Sequence, residues 1–383
     1  MLLYVHIPFC KRKCRYCSFV SYEKSESQAE RYIENVLKEA KNRKNEFIEP
    51  IDTLFIGGGT PSLLSPGLLL YFTDSLFRIL EADKPTEFSI ESNPGTVTEE
   101  WMSAAVKAGM NRLSLGMQAL QPKLLNTLGR IHTFADVKTA IQTARRYGVS
   151  NINIDLIFGI PGQTHDQWTE TLEASLSLHP EHISAYGLIP EEGTPLYEDL
   201  QSGTLILPDP DLERKMYDSA LSILRMHGYS QYEISNFAVD GKECRHNIGY
   251  WKQVPYVGLG VAAASMTIIQ QGDHGMICRR KKNPDQLREY EEMVFGQRDP
   301  AEDLVVNPAE TRFETMMLGL RMNEGVDEDL FRKMHGISIE NVYGKKLHRL
   351  EMQGLLTHSG HYWKLTRRGF DIQNSILVEL MDD

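Results

Sequence analysis

Cys10-Lys-Arg-Lys-Cys14-Arg-Tyr-Cys17, directly behind the apolar run Leu2-Leu-Tyr-Val-His-Ile7, decides how the rest of this chain is read. The run reads as a first strand, so the three cysteines stand at its exit. Thiolates are soft ligands suited to iron–sulfur clusters and to zinc. Three of them bind three irons of a four-iron cluster and leave the fourth open to a small molecule. A ferredoxin-type cluster needs a fourth cysteine, and the nearest candidate position holds Phe19. Two plainer readings stand beside the cluster: a zinc site with His6 or a distant residue as fourth ligand, and structural thiols in a reducing cytosol.

Outward from this stretch, strand-like segments alternate with helical patterns. Leu2–Ile7 is the first strand, and residues 28–45 read as an amphipathic helix. A second strand at 52–56 ends in Gly57-Gly58-Gly59-Thr60-Pro61, and further strands are predicted at 87–91, 112–117, Ile152–Phe158 and 183–188. About six β/α units in a row imply a parallel sheet with crossover helices, doubly wound or partly barrel-shaped. A turn-rich connection begins at Pro190, a helix is expected from 209 to 227, and 229–235 reads as a strand. From about Pro308 helices precede a hairpin turned at Ser359-Gly360, a winged-helix-like α+β pattern. Three regions result: 1–190, 191–305 and 306–383.

Composition narrows the function. The formal charge of −11 speaks against a general binder of nucleic acid or anionic membrane, both of which need a basic field. The C-terminal region is near neutral, which fits an accessory or lid module better than a DNA reader. Five cysteines, three of them in one motif, are no disulfide framework. No signal peptide or membrane-length apolar segment is visible, so a cytoplasmic protein is expected.

Polar residues recur where a barrel core would prefer apolar ones. Glu91 ends one predicted strand, Gln118 follows another, and Asp155 sits inside Asn151-Ile-Asn-Ile-Asp-Leu-Ile-Phe. A buried charge must be paired or bound. The Gly57–Gly59 run lets backbone approach a ligand, or serves as a tight β/α turn.

Cys-x-x-x-Cys-x-x-Cys at the first strand, followed by Gly-Gly-Gly-Thr-Pro after the second, resembles the radical S-adenosylmethionine (SAM) superfamily. Within it, Tyr4-Val-His-Ile-Pro-Phe-Cys10 resembles the branch of oxygen-independent coproporphyrinogen oxidases and their heme-chaperone paralogues. That resemblance covers nearly the whole chain. It implies a partial (β/α)6 barrel, with a [4Fe-4S] cluster on Cys10, Cys14 and Cys17 at the C-terminal ends of the strands. It implies SAM contacts from Tyr4, Tyr16, Gly59, Thr60, Glu91, Gln118, Arg130, Asp155, Gly187 and Ala264. Tyr16 stands where the oxidases carry another aromatic, and Ala264 where they carry a larger aliphatic.

Two departures from the oxidases matter: Phe19 replaces their fourth cysteine, and their longer N-terminal arm is missing here. Arg245-His246-Asn247-Ile-Gly-Tyr250-Trp251 is similar to the His-Asn-x-x-Tyr-Trp signature of the chaperone branch. His246 is thereby a candidate axial ligand for heme, Tyr250 and Trp251 offer flat faces to a porphyrin, and Cys244 is a further candidate. Arg279-Arg280-Lys281-Lys282 would meet propionates or form a solvated face. The resemblance thus implies a heme chaperone with a heme-acceptor protein as partner, compatible with an electron donor and peripheral membrane contact. The rival is an anaerobic coproporphyrinogen III dehydrogenase that cleaves SAM reductively.

Overall fold

The computed structural model describes residues 1–23, 26–272 and 275–381. Six strands, β1 (Leu2–Ile7), β2 (Thr53–Gly58), β3 (Glu87–Ser92), β4 (Arg112–Gln118), β5 (Ile152–Phe158) and β6 (His182–Gly187), lie side by side in chain order. Each pair is parallel. Strand Tyr256–Leu259 joins β1 in parallel on the other side. From there Ala264–Gln270, Ile277–Lys282 and Glu302–Val306 continue the sheet antiparallel. Beyond β6 come Asn236–Ala238 and Ser230–Gln231. The 12-stranded sheet has two ends, so the six-unit barrel is partial, as the chain's resemblance implies.

The connecting helices begin where their first-turn amides find acceptors. Ser65 caps Pro66–Leu80 and Thr98 caps Glu99–Ala108, while Thr133/Asp136 and Thr164/Gln167 close full capping boxes on the next two long helices. Strand alternation then divides the sheet's faces. Leu3, Val5, Ile7, Leu54, Ile56, Phe88, Ile90, Leu113, Leu115, Ile152, Ile154 and Ile183 point outward and are fully buried under the helices in one apolar cluster. The opposite parity, pointing into the barrel, is polar or aromatic: Tyr4, His6, Phe55, Ser89, Glu91, Ser114, Asn153, Asp155 and Ser184.

A second apolar cluster, including Phe331, Leu347, Leu350, Trp363 and Ile376, holds the C-terminal module. Three of its helices, Pro308–Gly319, Glu328–His335 and Ile339–Met352, precede the hairpin Leu356–Ser359/Tyr362–Leu365, which is the winged-helix-like pattern expected, and two more, Arg367–Asp371 and Gln373–Met381, follow it. The strand expected at 229–235 is shorter than that. Only Ser230–Gln231 forms a strand, because the Tyr232 amide donates to the Asn236 carbonyl (3.1 Å) and turns the chain back on itself, while Glu233 makes a single antiparallel bridge to Met322. Asn236–Ala238 is the piece that reaches β6.

Candidate functional site at the barrel mouth

The cysteine loop leaves β1 and is pinned from several sides. Phe9–Cys10 pairs in parallel with Tyr22–Glu23, the Arg15 amide donates to Leu128 O (3.0 Å), and the Leu196 amide to Arg15 O (2.9 Å). Arg15 also forms an ion pair with Asp199. His6 braces the loop from beneath. Its Nε2 lies 2.9 Å from Val20 O, a group that only accepts, so Nε2 carries the proton and Nδ1 accepts from the Tyr4 hydroxyl at 3.0 Å. Burial also holds His6 below its ordinary pKa. Both nitrogens being engaged, His6 is not a fourth ligand for zinc.

Cys10, Cys14 and Cys17 are all half-buried and free. Burial pushes the Cys10 and Cys17 thiols upward. The Thr60 hydroxyl donates to Cys10 Sγ (3.7 Å), and Arg130 Nη1 donates to Cys14 Sγ (3.5 Å). Among the described residues no three His, Cys, Asp or Glu side chains are placed to hold one metal ion. A four-iron cluster makes no such demand, since each thiolate binds a different iron. The donor set of three half-buried cysteines on one pinned loop fits a cluster, which Cys10, Cys14 and Cys17 would hold.

The Gly-rich loop packs directly on this one. The Gly59 amide donates to Ile7 O and the Thr60 amide to Phe9 O, each at 2.8 Å. A Cβ on Gly59 would fall 2.7 Å from Phe9 O, so the glycine is required by the approach of the two backbones. Gly58 takes φ +112° and turns its amide to Glu91 Oε2, 2.9 Å away. Glu91 is pushed up to about 7, chiefly by burial, with Asp155 adding repulsion and the Gly58 bond opposing both.

Across the mouth, Asp155 accepts from Ser114 Oγ (3.0 Å) and Asn153 Nδ2 (2.8 Å). Asn153 Oδ1 in turn faces His182 Nδ1 (2.6 Å). Gln118 adopts φ +65° at a register irregularity between β4 and β5, which re-aims its side chain at the strand end. Arg130 Nη2 holds Gly116 O (2.7 Å), tying that bulge to Cys14. Tyr16 interacts electrostatically with Arg130, Cys14, Cys17 and Asp155, and Tyr4 with Glu91. Tyr4, Tyr16, Gly59, Thr60, Glu91, Gln118, Arg130 and Asp155 thus surround the cysteine loop.

Gly187 and Ala264 stand at its flanks. Gly187 ends β6 beside Phe158 and Glu213, and Ala264 is exposed beside Gly258, which pairs with Tyr4. Ser114 and Asn153, which hold Asp155, are polar residues that motif reading missed, and His182, the first residue of β6, continues that hydrogen-bonded chain toward the opposite end of the barrel. The signal was present: Asn153 precedes Asp155 by two, which in a strand puts both on one face.

The segment read as a heme contact lies elsewhere. Helix Arg245–Trp251 covers the opposite, N-terminal end of the barrel, where His246 Nδ1 meets Thr53 Oγ1 (2.7 Å) and Nε2 meets the Tyr250 hydroxyl (3.0 Å). Thr53 starts β2 and Gly58 ends it, so about 16 Å of strand separates this helix from the mouth. His246 is 1% exposed and lowered to about 3 by burial, with Arg112 adding to the effect. Both ring nitrogens of His246 are thus engaged in hydrogen bonds. Tyr250 packs edge-on against Tyr256, and Trp251 lies under Arg321. Cys244 is fully buried, bonds to Glu87 and is pushed up to about 12. Arg279, Arg280, Lys281 and Lys282 are each ion-paired, to Asp303, Glu314, Glu46 and Asp285.

A parallel partial barrel with three cysteines and a glycine loop at its mouth defines a radical SAM type of protein, and comparison with known proteins agrees. Residues 4–174 match the radical SAM superfamily, and residues 306–372 match the HemN C-terminal domain. The coproporphyrinogen III oxidase HemN of Escherichia coli shares the fold, with a TM-score of 0.84 over 99% of this chain and 89% of that one, at 21% identity. The heme chaperone HemW of Bacillus subtilis is 36% identical over 97% of both chains. A bovine protein, radical S-adenosyl methionine domain-containing protein 1, mitochondrial, is 31% identical over 99% of this chain and 87% of its own. The chain belongs to the HemW family. The superfamily implies a [4Fe-4S] cluster and SAM. No helix among the described residues is long and apolar enough to cross a membrane.

Proposed function

We propose that this protein is a heme chaperone: it holds a [4Fe-4S] cluster on Cys10, Cys14 and Cys17, binds SAM at the barrel mouth, binds heme and passes it to an acceptor protein. The observation that carries the reading is the mouth itself. It supplies three half-buried cysteines, and Phe19, 66% exposed, stands where the oxidases carry a fourth. Three thiolates leave one iron for a small chelating molecule, and such a cluster can pass single electrons. Glu91, Asp155 and Gln118, held by Gly58, Ser114, Asn153 and the β4 bulge, suit the ribose hydroxyls and cationic groups of SAM. Arg130 screens Cys14 and fixes Gly116. The names of the full-length relatives support heme as cargo, and the cytoplasm as location remains part of this proposal. The three-region division at 190 and 305 belongs to it too.

Anaerobic reconstitution tests the reading. It should give four irons per chain, with an electronic spectrum that changes on adding SAM, and Cys14→Ala should abolish stable cluster formation. Heme added separately should bind with a defined Soret band. Stoichiometric zinc and no cluster after reconstitution would return the site to a structural role.

A further inference from the structure

We infer that the heme cargo sits in a cavity at the seam between the barrel's edge and the C-terminal module, with Met226 as axial ligand and Arg225 on a propionate. The inference rests on the heme reading above and adds the site. One wall of the cavity is a helix face. Asp218, Leu221, Ser222, Arg225 and Met226 recur at three- and four-residue steps along helix Pro210–Met226, so they share one side of it. Ser230 and Gln231 of the sheet's last strand, with the buried Phe237, form the floor. Asn323 and Arg367 of the C-terminal module close the far side. Tyr229 also lines the cavity, and its hydroxyl donates to Pro180 O, just before β6 begins. The cavity therefore lies toward the N-terminal end of the barrel, away from the cysteine loop. Its volume is about 650 Å³. Small-molecule sites span roughly 300–1,000 Å³ and favour seams between modules.

The lining selects the ligand. Asp218 is spent on Arg214 and Arg367. Arg225 makes no side-chain ion pair or hydrogen bond among the described residues, and neither do the hydroxyls of Ser222 and Ser230. An arginine with open donors beside two open hydroxyls suits a carboxylate. Leu221, Phe237 and Met226, the last 73% exposed, add apolar area that a bare inorganic anion would not use. The Met226 thioether is a soft group of the kind that ligates heme iron. Tyr229, the other lining residue of a heme-ligating type, has given its hydroxyl to Pro180. Heme combines the three matching features: carboxylates, an apolar plane and an iron that accepts a soft donor. A weak, exposed ligand also suits a cargo that has to leave again.

The test titrates heme into the reconstituted full-length protein and follows the Soret band by difference spectra. Arg225→Glu should weaken heme binding by on the order of tenfold or more. Heme dimethyl ester, which lacks free carboxylates, should bind this variant and the wild type equally. Met226→His should move the Soret band and tighten binding, and Met226→Leu should move the band the other way. Iron per chain and the spectral response to SAM should stay at wild-type values in all three variants, because the changed side chains are exposed and remote from the mouth. Wild-type heme affinity in Arg225→Glu overturns the inference, as does a Soret band that moves in neither Met226 variant. So does an equal loss of affinity for the dimethyl ester, since the arginine would then not be meeting a carboxylate. A wild-type chain that binds no heme in one-to-one ratio removes instead the heme reading beneath it.

Discussion

His246, on the helix that covers the N-terminal end of the barrel, and Glu91, at its mouth, are both shifted by burial, in opposite senses. Burial lowers His246 to about 3, whereas the exposed imidazole of an unfolded chain titrates near 6.5. Below 6.5 the unfolded chain takes up a proton that the folded one refuses. Its contribution to stability is therefore present above pH 6.5 and lost progressively toward pH 3. His182, also lowered by burial, acts in the same sense. His246→Ala should cost about 2–4 kcal/mol at pH 8 by orphaning the Thr53 and Tyr250 hydroxyls. It should also flatten the loss between pH 6.5 and 4, as urea unfolding at several pH values would show. At matched folded fraction the heme Soret band should not move; a shift would bring the imidazole back as a ligand. Glu91 is raised to about 7. The folded chain keeps a proton that the unfolded chain sheds near 4.5, so its contribution is present below 4.5 and lost as pH rises through 7. Glu91→Gln should therefore stabilise the ligand-free protein at pH 8 but not at pH 4.5, and should weaken SAM binding in the same samples.

Among the elements, the two loops at the mouth act as one unit. Gly59 and Thr60 donate their amides to Ile7 and Phe9, so the glycine loop is in effect stitched to the strand that delivers Cys10. Gly59→Ala puts a methyl 2.7 Å from Phe9 O and 2.9 Å from Phe9 N, and neither backbone atom can step aside without moving Cys10. The variant should lose SAM affinity by on the order of tenfold, an effect of about 1.4 kcal/mol. It should also lose iron faster under a chelator, with its far-ultraviolet circular dichroism unchanged. Wild-type iron retention in Gly59→Ala would show that the two loops move independently. The β4 bulge is the second device at this scale. Its irregular register at Gly116 and Gln118 turns the Gln118 side chain at the strand end without interrupting the sheet.

At the scale of the molecule, the barrel and the C-terminal module keep separate main apolar clusters and meet through a small apolar cluster, in which Met334 joins Met266, Met276 and Cys278, and through polar contacts. Thr315 bonds both Gln253 and His335, Arg214 pairs with Asp371, Arg367 with Asp218, and the Asn323 amide donates to Tyr232 O. Exposed pairs of this kind are worth about 0–1 kcal/mol each. The exposed ion pairs of the seam therefore specify orientation more than they add stability. Whether the assembly turns over a porphyrinogen is decided at this scale as well. With Phe19 in place of a fourth cysteine, coproporphyrinogen III should not be converted to protoporphyrinogen IX, even with SAM and reductant. Chromatography of anaerobic reactions checks this, and product beyond one turnover would favour the dehydrogenase.

The parallel barrel and the cysteine loop were legible in the residues alone, because both are local patterns. Period-two apolar runs mark β1 to β6, capping residues mark the helix starts, and Cys10, Cys14 and Cys17 lie within eight residues of one another. Glu91, Gln118 and Asp155 showed themselves as polar residues in apolar strands. What a pattern does not carry is which end of a strand a distant segment will cover. His246-Asn-Ile-Gly-Tyr250-Trp251 has the composition of a porphyrin contact, and only packing against Thr53, Phe55 and Glu87 places it beneath the barrel, with its imidazole spent on two hydroxyls. The basic run at 279–282 likewise met its four carboxylates only after the chain had folded. Three of these carboxylates lie more than 20 residues away, on other elements. Hydrogen-bond partners of that kind are set by long-range geometry, which no local spacing encodes.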